Sequence, residues 1–427
     1  MKLPLRLVGD ALAHSGGYVA SMLIAFALVP FLLRAFSAAD YGIWLVSLSA
    51  SAALGTLTIA LWWLVNREVA GADEHGDPPR ALVADVLLTT LIVGCVGGLL
   101  LAIGGANGWI SEATSDEQRN VLRLAGAAFF WEQIAACASA VLAGRRRFAV
   151  LNAIVVATNA LRAVSIVFVL SLGGRLITVA LFHVAFSALG AVALLGAMFR
   201  SAPWLRALRP VVPFSALRSR LRFAVQLQLA SIVAAGTWQL VPLIVSRMFG
   251  SAAVVPLYIG LRVPQAIGLL ANRVAEVTYP LLVQATNRGG LEAVRDVVIR
   301  GTRWTVALAI PGFVALILGA PFILQYWLGT YPPDALILFR LAALGYMFEA
   351  ISIPMACALT AAGRTGTVLL LACCSALVHL GVLIWLLRSL GVRAAGVALV
   401  VSCVVNVVAY FVAADRIGIT RWRSAPA

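Results

Sequence analysis

The sequence predicts an all-α, polytopic membrane protein: twelve transmembrane helices in two pseudo-symmetric six-helix lobes around a central cavity. Three observations predict it. Of 427 residues 62% are hydrophobic and only 11% charged, and mean hydropathy is +0.99, whereas soluble domains carry about 25% charged residues. The apolar runs come in two matching sets of six. VP-FLL-RAFSAADYGIW around Pro30 is echoed by VP-LIVSRMFGSAAVVPLY around Pro242, and LAGRRRF with its run to SLGGR by TAAGRTG with its run to SLGVR. Finally, the basic residues gather in alternate loops.

A spanning helix needs about 20 mostly apolar residues. The first set is Ala11–Leu33, Tyr41–Asn66, Val86–Ser111, Val121–Gly144, Phe148–Gly174 and Leu176–Phe199. The second is Phe223–Ser246, Ala252–Leu282, Trp304–Pro333, Leu336–Ala362, Thr365–Leu387 and Ala394–Ala413. None alternates with period two, which excludes a barrel. No small-residue cleavage site follows a short apolar core, so the first helix is expected to remain as its own insertion signal. Ser115-Asp116-Glu117-Gln118 has capping-box spacing and should start the fourth helix. The expected lobes are residues 1–205 and 223–427, joined by a basic linker over 206–222 that Pro210 and Pro213 keep from being one helix.

The formal charge of +15 is mainly a topology signal. Lys2 and Arg6 precede the first helix, Arg145, Arg146 and Arg147 follow the fourth, Arg200 to Arg222 follow the sixth, and Arg416, Arg421 and Arg423 follow the last. The intervening loops hold far fewer, Arg119, Arg175, Arg388 and Arg393 among them. The rich side is cytoplasmic by the positive-inside rule, which puts both termini inside, as an even helix count requires. The excess also attracts anionic headgroups of the membrane lipids; nucleic acid is not an expected partner. Trp44, Trp109, Trp327 and Trp385 near outer ends, and Trp62, Trp63, Trp204 and Trp304 near inner ends, read as interfacial rings. The six cysteines all lie in apolar runs without a zinc-like spacing and read as packing residues. There is no G-x-x-x-x-G-K-[ST] or HExxH and no stretch long enough for a soluble catalytic domain. An enzyme, a cofactor and a metal are therefore not expected.

Charges inside the spans carry the functional signal, since placing one in hydrocarbon costs at least about 2.5–3.5 kcal/mol. The eighth helix holds Arg262, Gln265, Arg273 and Glu276 at spacings of three and eleven, close to whole turns and so on one face. That stripe is expected to line a cavity; the structural alternative is an Arg273–Glu276 pair with Arg262 reaching outward. Glu132 and Glu349 occupy corresponding places in the fourth and tenth helices, with Arg162 and Arg340 as natural ion-pair partners. They are either coupling carboxylates or structural pairs, and their presence in both repeats favours the structural reading. Arg34 and Arg247 correspond at the outer ends of the first and seventh helices; anchoring is the default, with a gate role as the alternative, and Asp40 is the natural partner of Arg34. His183 and His379 have no acid near them in sequence, so helix–helix hydrogen bonding is expected of both.

RAFSAADYGIW after the first helix resembles the arginine…(G/S)xxDYGxW signature of the polysaccharide-export (O-antigen) flippases, within the multidrug/oligosaccharidyl-lipid/polysaccharide exporter superfamily. YIGLRVPQAIGLLANRVAEVTYPLL is similar to their eighth helix, and QYWLG through SLGVRAAGVALVVS to their C-terminal third. The resemblance implies alternating access and a polyprenyl-diphosphate-linked oligosaccharide as substrate, carried from the cytoplasmic to the outer leaflet for surface polysaccharide synthesis. It also implies a monomer working beside a polysaccharide polymerase and glycosyltransferases. Arg262 and Arg273 suit a diphosphate, since arginine is always charged and binds phosphate bidentately. The alternatives are a cation-coupled multidrug exporter, against which the acid-free stretch Ala11–Leu33 argues, and a nontransporting scaffold for membrane glycosyltransferases.

Overall fold

In hydrocarbon every backbone polar group must be satisfied within its own segment, so each apolar run becomes helix. The computed structural model describes residues 5–75, 80–207, 228–229, 232–233, 237–416 and 418. It divides into two compact units, Met1–Ala252 and Ala253–Ala427. The first holds α1 (Leu5–Ala35), α2 (Ala38–Gly55), α3 (Ile59–His75), α4 (Arg80–Ala106), α5 (Asp116–Gly144), α6 (Phe148–Ser171), α7 (Leu176–Ser201) and α8 (Thr237–Phe249). The second holds α9 (Val254–Leu328), α10 (Pro333–Ala361), α11 (Thr365–Leu390) and α12 (Arg393–Arg416). Ten stretches of these helices are long and apolar enough to cross a membrane, and Val19–Ala35 is a shorter apolar one. Each of the twelve predicted spans has helix at its place, and the chain is a multi-pass membrane protein. The 206–222 linker lies almost wholly outside the described residues.

Three helix boundaries differ from expectation. The first helix begins at Leu5 and so takes in Asp10, ahead of the acid-free stretch. The second span is broken at a 3-10 turn, Thr56–Thr58, which separates α2 from α3. Gln228 completes the hydrogen bonding there: its amide donates to the Thr56 carbonyl and its Oε1 accepts from Ala60 N at 3.2 Å.

The eighth and ninth spans form one continuous helical stretch, α9. A straight helix from Gly260 to Ile317 would reach about 85 Å (57 residues at 1.5 Å). Yet Gly260 packs against Leu338 while the Ile317 carbonyl accepts from Arg340, two positions away on α10. Leu282 and Val298 likewise meet around Leu359. The stretch therefore folds back between these points and supplies two limbs, both lying along α10.

Each unit is built round the fourth helix of its repeat. In the first, α5 packs against α2, α3, α4 and α7; in the second, α10 packs against both limbs of α9 and against α12. An offset of 217 relates them. Ala138, Val141 and Leu142 toward the C-terminal end of α5 are core residues, and so are Met355, Ala358 and Leu359 of α10. The turns that follow repeat hydrogen bond for hydrogen bond: Arg147 N to Leu142 O at 2.9 Å, Arg364 N to Leu359 O at 2.9 Å. The left-handed position of that turn is Gly363 (φ 74) in one unit and Arg146 (φ 53) in the other.

The capping box at the start of α5 forms in part. Ser115 Oγ accepts from Gln118 N at 3.2 Å, but Gln118 Oε1 accepts from Thr114 N, one residue before the cap.

Candidate functional site

The densest polar network inside the described spans links four helices of the first unit. Glu132 stands on α5 more than three turns from either end. His183 comes from α7, and Asn159 and Arg162 lie one turn apart on one face of α6. His183 Nε2 is 3.2 Å from Glu132 Oε1, and its Nδ1 is 2.9 Å from Arg162 Nη1. Arg162 Nη2 donates to Asn159 Oδ1 at 2.8 Å, and Asn159 Nδ2 donates to Ser21 Oγ of α1 at 3.2 Å. Trp44 of α2 meets the imidazole edge to face, ring centroids 5.2 Å apart. The Glu132 side chain keeps 40% of its surface accessible against 10% for His183, so the carboxylate opens out of the network while the imidazole is enclosed.

Hydrogen-bond chemistry assigns the protons. A guanidinium only donates, so His183 Nδ1 accepts from Arg162. The imidazole is then neutral and carries its proton on Nε2, from which it donates to the Glu132 carboxylate. One arginine charge and one carboxylate charge balance across a neutral bridge.

This corrects one expectation: Arg162 and Glu132 were expected to pair directly, and His183 stands between them. The helix–helix hydrogen bonding expected of His183 is present, and the acid that its sequence neighbourhood lacks comes from α5, 51 residues earlier in the chain. Trp44 is also not interfacial: it is 7% exposed and packs on the imidazole, whereas Trp63, Trp109, Trp304 and Trp385 are exposed as a belt requires. Asn159 and Ser21 drew no attention in the sequence, because short polar side chains in a span are common.

The corresponding position in the second unit differs. Arg340 is exposed and its Nε points to the Ile317 carbonyl at 3.4 Å, so it does not pair with Glu349. Glu349 is half-buried, and among the described residues no cation lies within ion-pairing distance of its carboxylate. Its backbone carbonyl accepts from Ser352 Oγ at 2.7 Å. His379 sits 3.2 Å from Ser402 Oγ, the interhelical hydrogen bond expected of it.

Of the α9 stripe, Arg262 and Gln265 are half-buried on the first limb, and the Arg262 guanidinium lies over the Tyr258 ring, 5.0 Å from its centroid. No ion pair joins Arg262 to a carboxylate among the described residues. The side chains of Arg273 and Glu276 lie outside the described residues. Arg34 is exposed and does not pair with Asp40, which instead accepts from Ser37 Oγ at 2.7 Å and Gln118 Nε2 at 2.8 Å. Arg247 donates to the Gly108 carbonyl at 3.0 Å and reaches Glu112 at 3.4 Å, which fastens the C-terminal end of α8 to the loop after α4.

Similar folds occur among solved transporters. An inward-facing multidrug resistance MATE family transporter of the MOP superfamily matches with TM-score 0.70 and 15% identity, over 97% of this chain and 96% of that one. The lipid II flippase MurJ in an inward closed conformation matches with TM-score 0.72 and 12% identity, over 96% and 87%. A MOP superfamily transporter from Pyrococcus furiosus, described by the reverse polarity of its binding pocket, matches with TM-score 0.63 and 15% identity, over 96% and 95%. No curated protein matches the sequence. At such identities these likenesses establish the fold. The family model for polysaccharide biosynthesis protein matches residues 74–331, more than half of the sequence, and the chain belongs to that family.

Proposed function

We propose that the protein is a flippase that carries polyprenyl-diphosphate-linked oligosaccharide from the cytoplasmic to the outer leaflet of a bacterial inner membrane by alternating access, both termini facing the cytoplasm. The observation that carries this reading is Arg262. It sits inside a membrane-spanning limb on an aromatic ring, with no ion pair to a carboxylate among the described residues. A permanent cation on that ring, with no carboxylate paired to it among the described residues, suits an anionic headgroup, and the planar guanidinium suits a phosphate. The sugar would travel through the polar interior while the polyprenyl tail stays in the bilayer.

Native mass spectrometry of the purified protein with a polyprenyl-diphosphate oligosaccharide, beside a lipophilic cationic dye, tests it. Selective retention of the diphosphate lipid is expected. Arg262→Ala should weaken it about tenfold or more, the worth of one charge-assisted hydrogen bond. Arg262→Lys should be intermediate, keeping the charge without the fork. Retention of the dye with no preference for the diphosphate would overturn the reading.

A further inference from the structure

We propose that the cleft between α1 and α6 binds one acyl chain of a phospholipid, whose phosphate is held by Arg34. The inference is independent of what the protein carries. α1 and α6 run in the same direction and touch where a Cβ on Gly17 would strike the Asn152 side chain. One turn further along α1, Asn159 Nδ2 donates to Ser21 Oγ at 3.2 Å. Beyond that rung the helices leave a cleft of about 560 Å³, with Ile24, Ala27 and Phe31 on one wall and Ala160, Val164 and Phe168 on the other. All its lining residues but Ser171 are apolar.

The cleft opens away from the polar network. Arg162, which joins that network, stands two residues from both Ala160 and Val164 and so projects from the opposite side of α6. Phe31, Val164 and Phe168 are exposed. In a multi-pass membrane protein such a face meets lipid, and ordinary lipid contact needs neither a cleft nor a charge. Arg34 supplies the charge. It follows Ala27 by seven residues, two turns, on the same side of α1. Helical side chains lean toward the helix N-terminus, which brings Arg34 to the mouth of the cleft. It is exposed, and among the described residues it makes no ion pair or hydrogen bond. Its planar fork suits a phosphate. From Ile24 to Arg34 is ten residues, about 15 Å of helix. That is half of a hydrocarbon core of about 30 Å, the depth one acyl chain spans with its phosphate at the level of Arg34. A polyprenyl tail is much longer and would leave most of itself outside.

Photolabelling of the full-length protein in detergent tests this. The probe is phosphatidylglycerol with a diazirine in one acyl chain, and labelled peptides are mapped by mass spectrometry. Labels should concentrate on residues 24–31 and 160–171. Unlabelled phosphatidylglycerol should displace the probe, whereas diacylglycerol, which lacks a phosphate, and a long polyprenyl monophosphate should not. Arg34→Ala should lower labelling about tenfold, the worth of one charge-assisted hydrogen bond. Arg34→Lys should keep part of it, retaining the charge without the fork. Ala27→Phe, at an exposed position, should lower it with Arg34 in place by filling the cleft. Each variant should melt at the wild-type temperature without lipid; if one does not, the competition on the wild type decides alone. The proposal is overturned if labels spread evenly over the other exposed apolar helices, α11 among them, or if a folded Arg34→Ala labels like wild type. It is also overturned if diacylglycerol or polyprenyl phosphate displaces the probe as well as phosphatidylglycerol does, the second result giving the cleft to a polyprenyl lipid instead.

Discussion

The two units place an acid at matched positions of their central helices and then use it differently. At their N-terminal ends the match is kept. Arg175, before α7, reaches Glu117 in the first turn of α5 at 2.7 Å, and Arg393, at the start of α12, reaches Asp334 in the first turn of α10 at 2.7 Å. At mid-span the match ends. Glu132 is tied through His183 to Arg162, while Glu349 has no cation in reach among the described residues and Arg340 faces outward. A repeated sequence preserves where an acid stands along its helix. Its role is decided by what the neighbouring helices bring to it, and those have diverged.

The largest expected effect separates how the two central helices are packed. Gly98 of α4 and Gly126 of α5 meet backbone to backbone, so that a Cβ on either would run into the other's carbonyl oxygen. Gly126→Val should cost about 3 kcal/mol, since neither backbone can yield. Gly345 of α10 has side-chain atoms of Leu399, not backbone, as its nearest neighbours. Leu399 can turn aside, and alanine is the better helix former, so Gly345→Ala should stay within about 1 kcal/mol of wild type. Thermal unfolding in one detergent compares them, and equal losses would show that the two contacts are equally rigid.

Next comes the mid-span asymmetry. Arg162→Ala removes two hydrogen bonds from a partly buried charge network and should cost about 2 kcal/mol. Arg340→Ala, at an exposed site with one long contact to a carbonyl, should cost no more than about 0.5 kcal/mol. A difference smaller than the error of the melting curves would mean the network contributes little to stability. A smaller effect of opposite sign is expected at the repeated turn. Arg146 holds the left-handed conformation that glycine supplies in the other unit, and Arg146→Gly should raise stability by about 1 kcal/mol. The ion pairs at these N-terminal ends come last. Arg175→Ala and Arg393→Ala should each cost under about 1 kcal/mol, and less as salt rises, because both pairs are largely solvated.

The spans, their pairing into repeats and the start of α5 were legible because hydropathy and capping are local along the chain. The reversal within α9 was legible as two runs but not as one continuous helical stretch, since Asn287-Arg288-Gly289-Gly290 between the runs reads as a break in helix. Partners across helices were not legible. Arg162 was recognised as a cation for Glu132, but His183 fell between them because rotation about a helix axis is set by packing, which no linear spacing reports. The same reason sent Asp40 to Gln118 instead of Arg34.

The seventh span has a practical consequence for dissecting the molecule. Ser246 shares a hydrogen bond with Ser111 at 2.8 Å, Ser251 Oγ donates to the Ala39 carbonyl at 2.9 Å, and Gly42 comes so near Ser251 that a Cβ there would strike its carbonyl. The chain after the internal sequence repeat thus stays fastened to the preceding helices as far as Ala252. Severing the gene at the repeat boundary would strand α8 away from the surfaces it was made to cover. Two fragments cut after Ala252 keep those surfaces together, and they are the pair to co-express when one half is to be labelled and the other left silent.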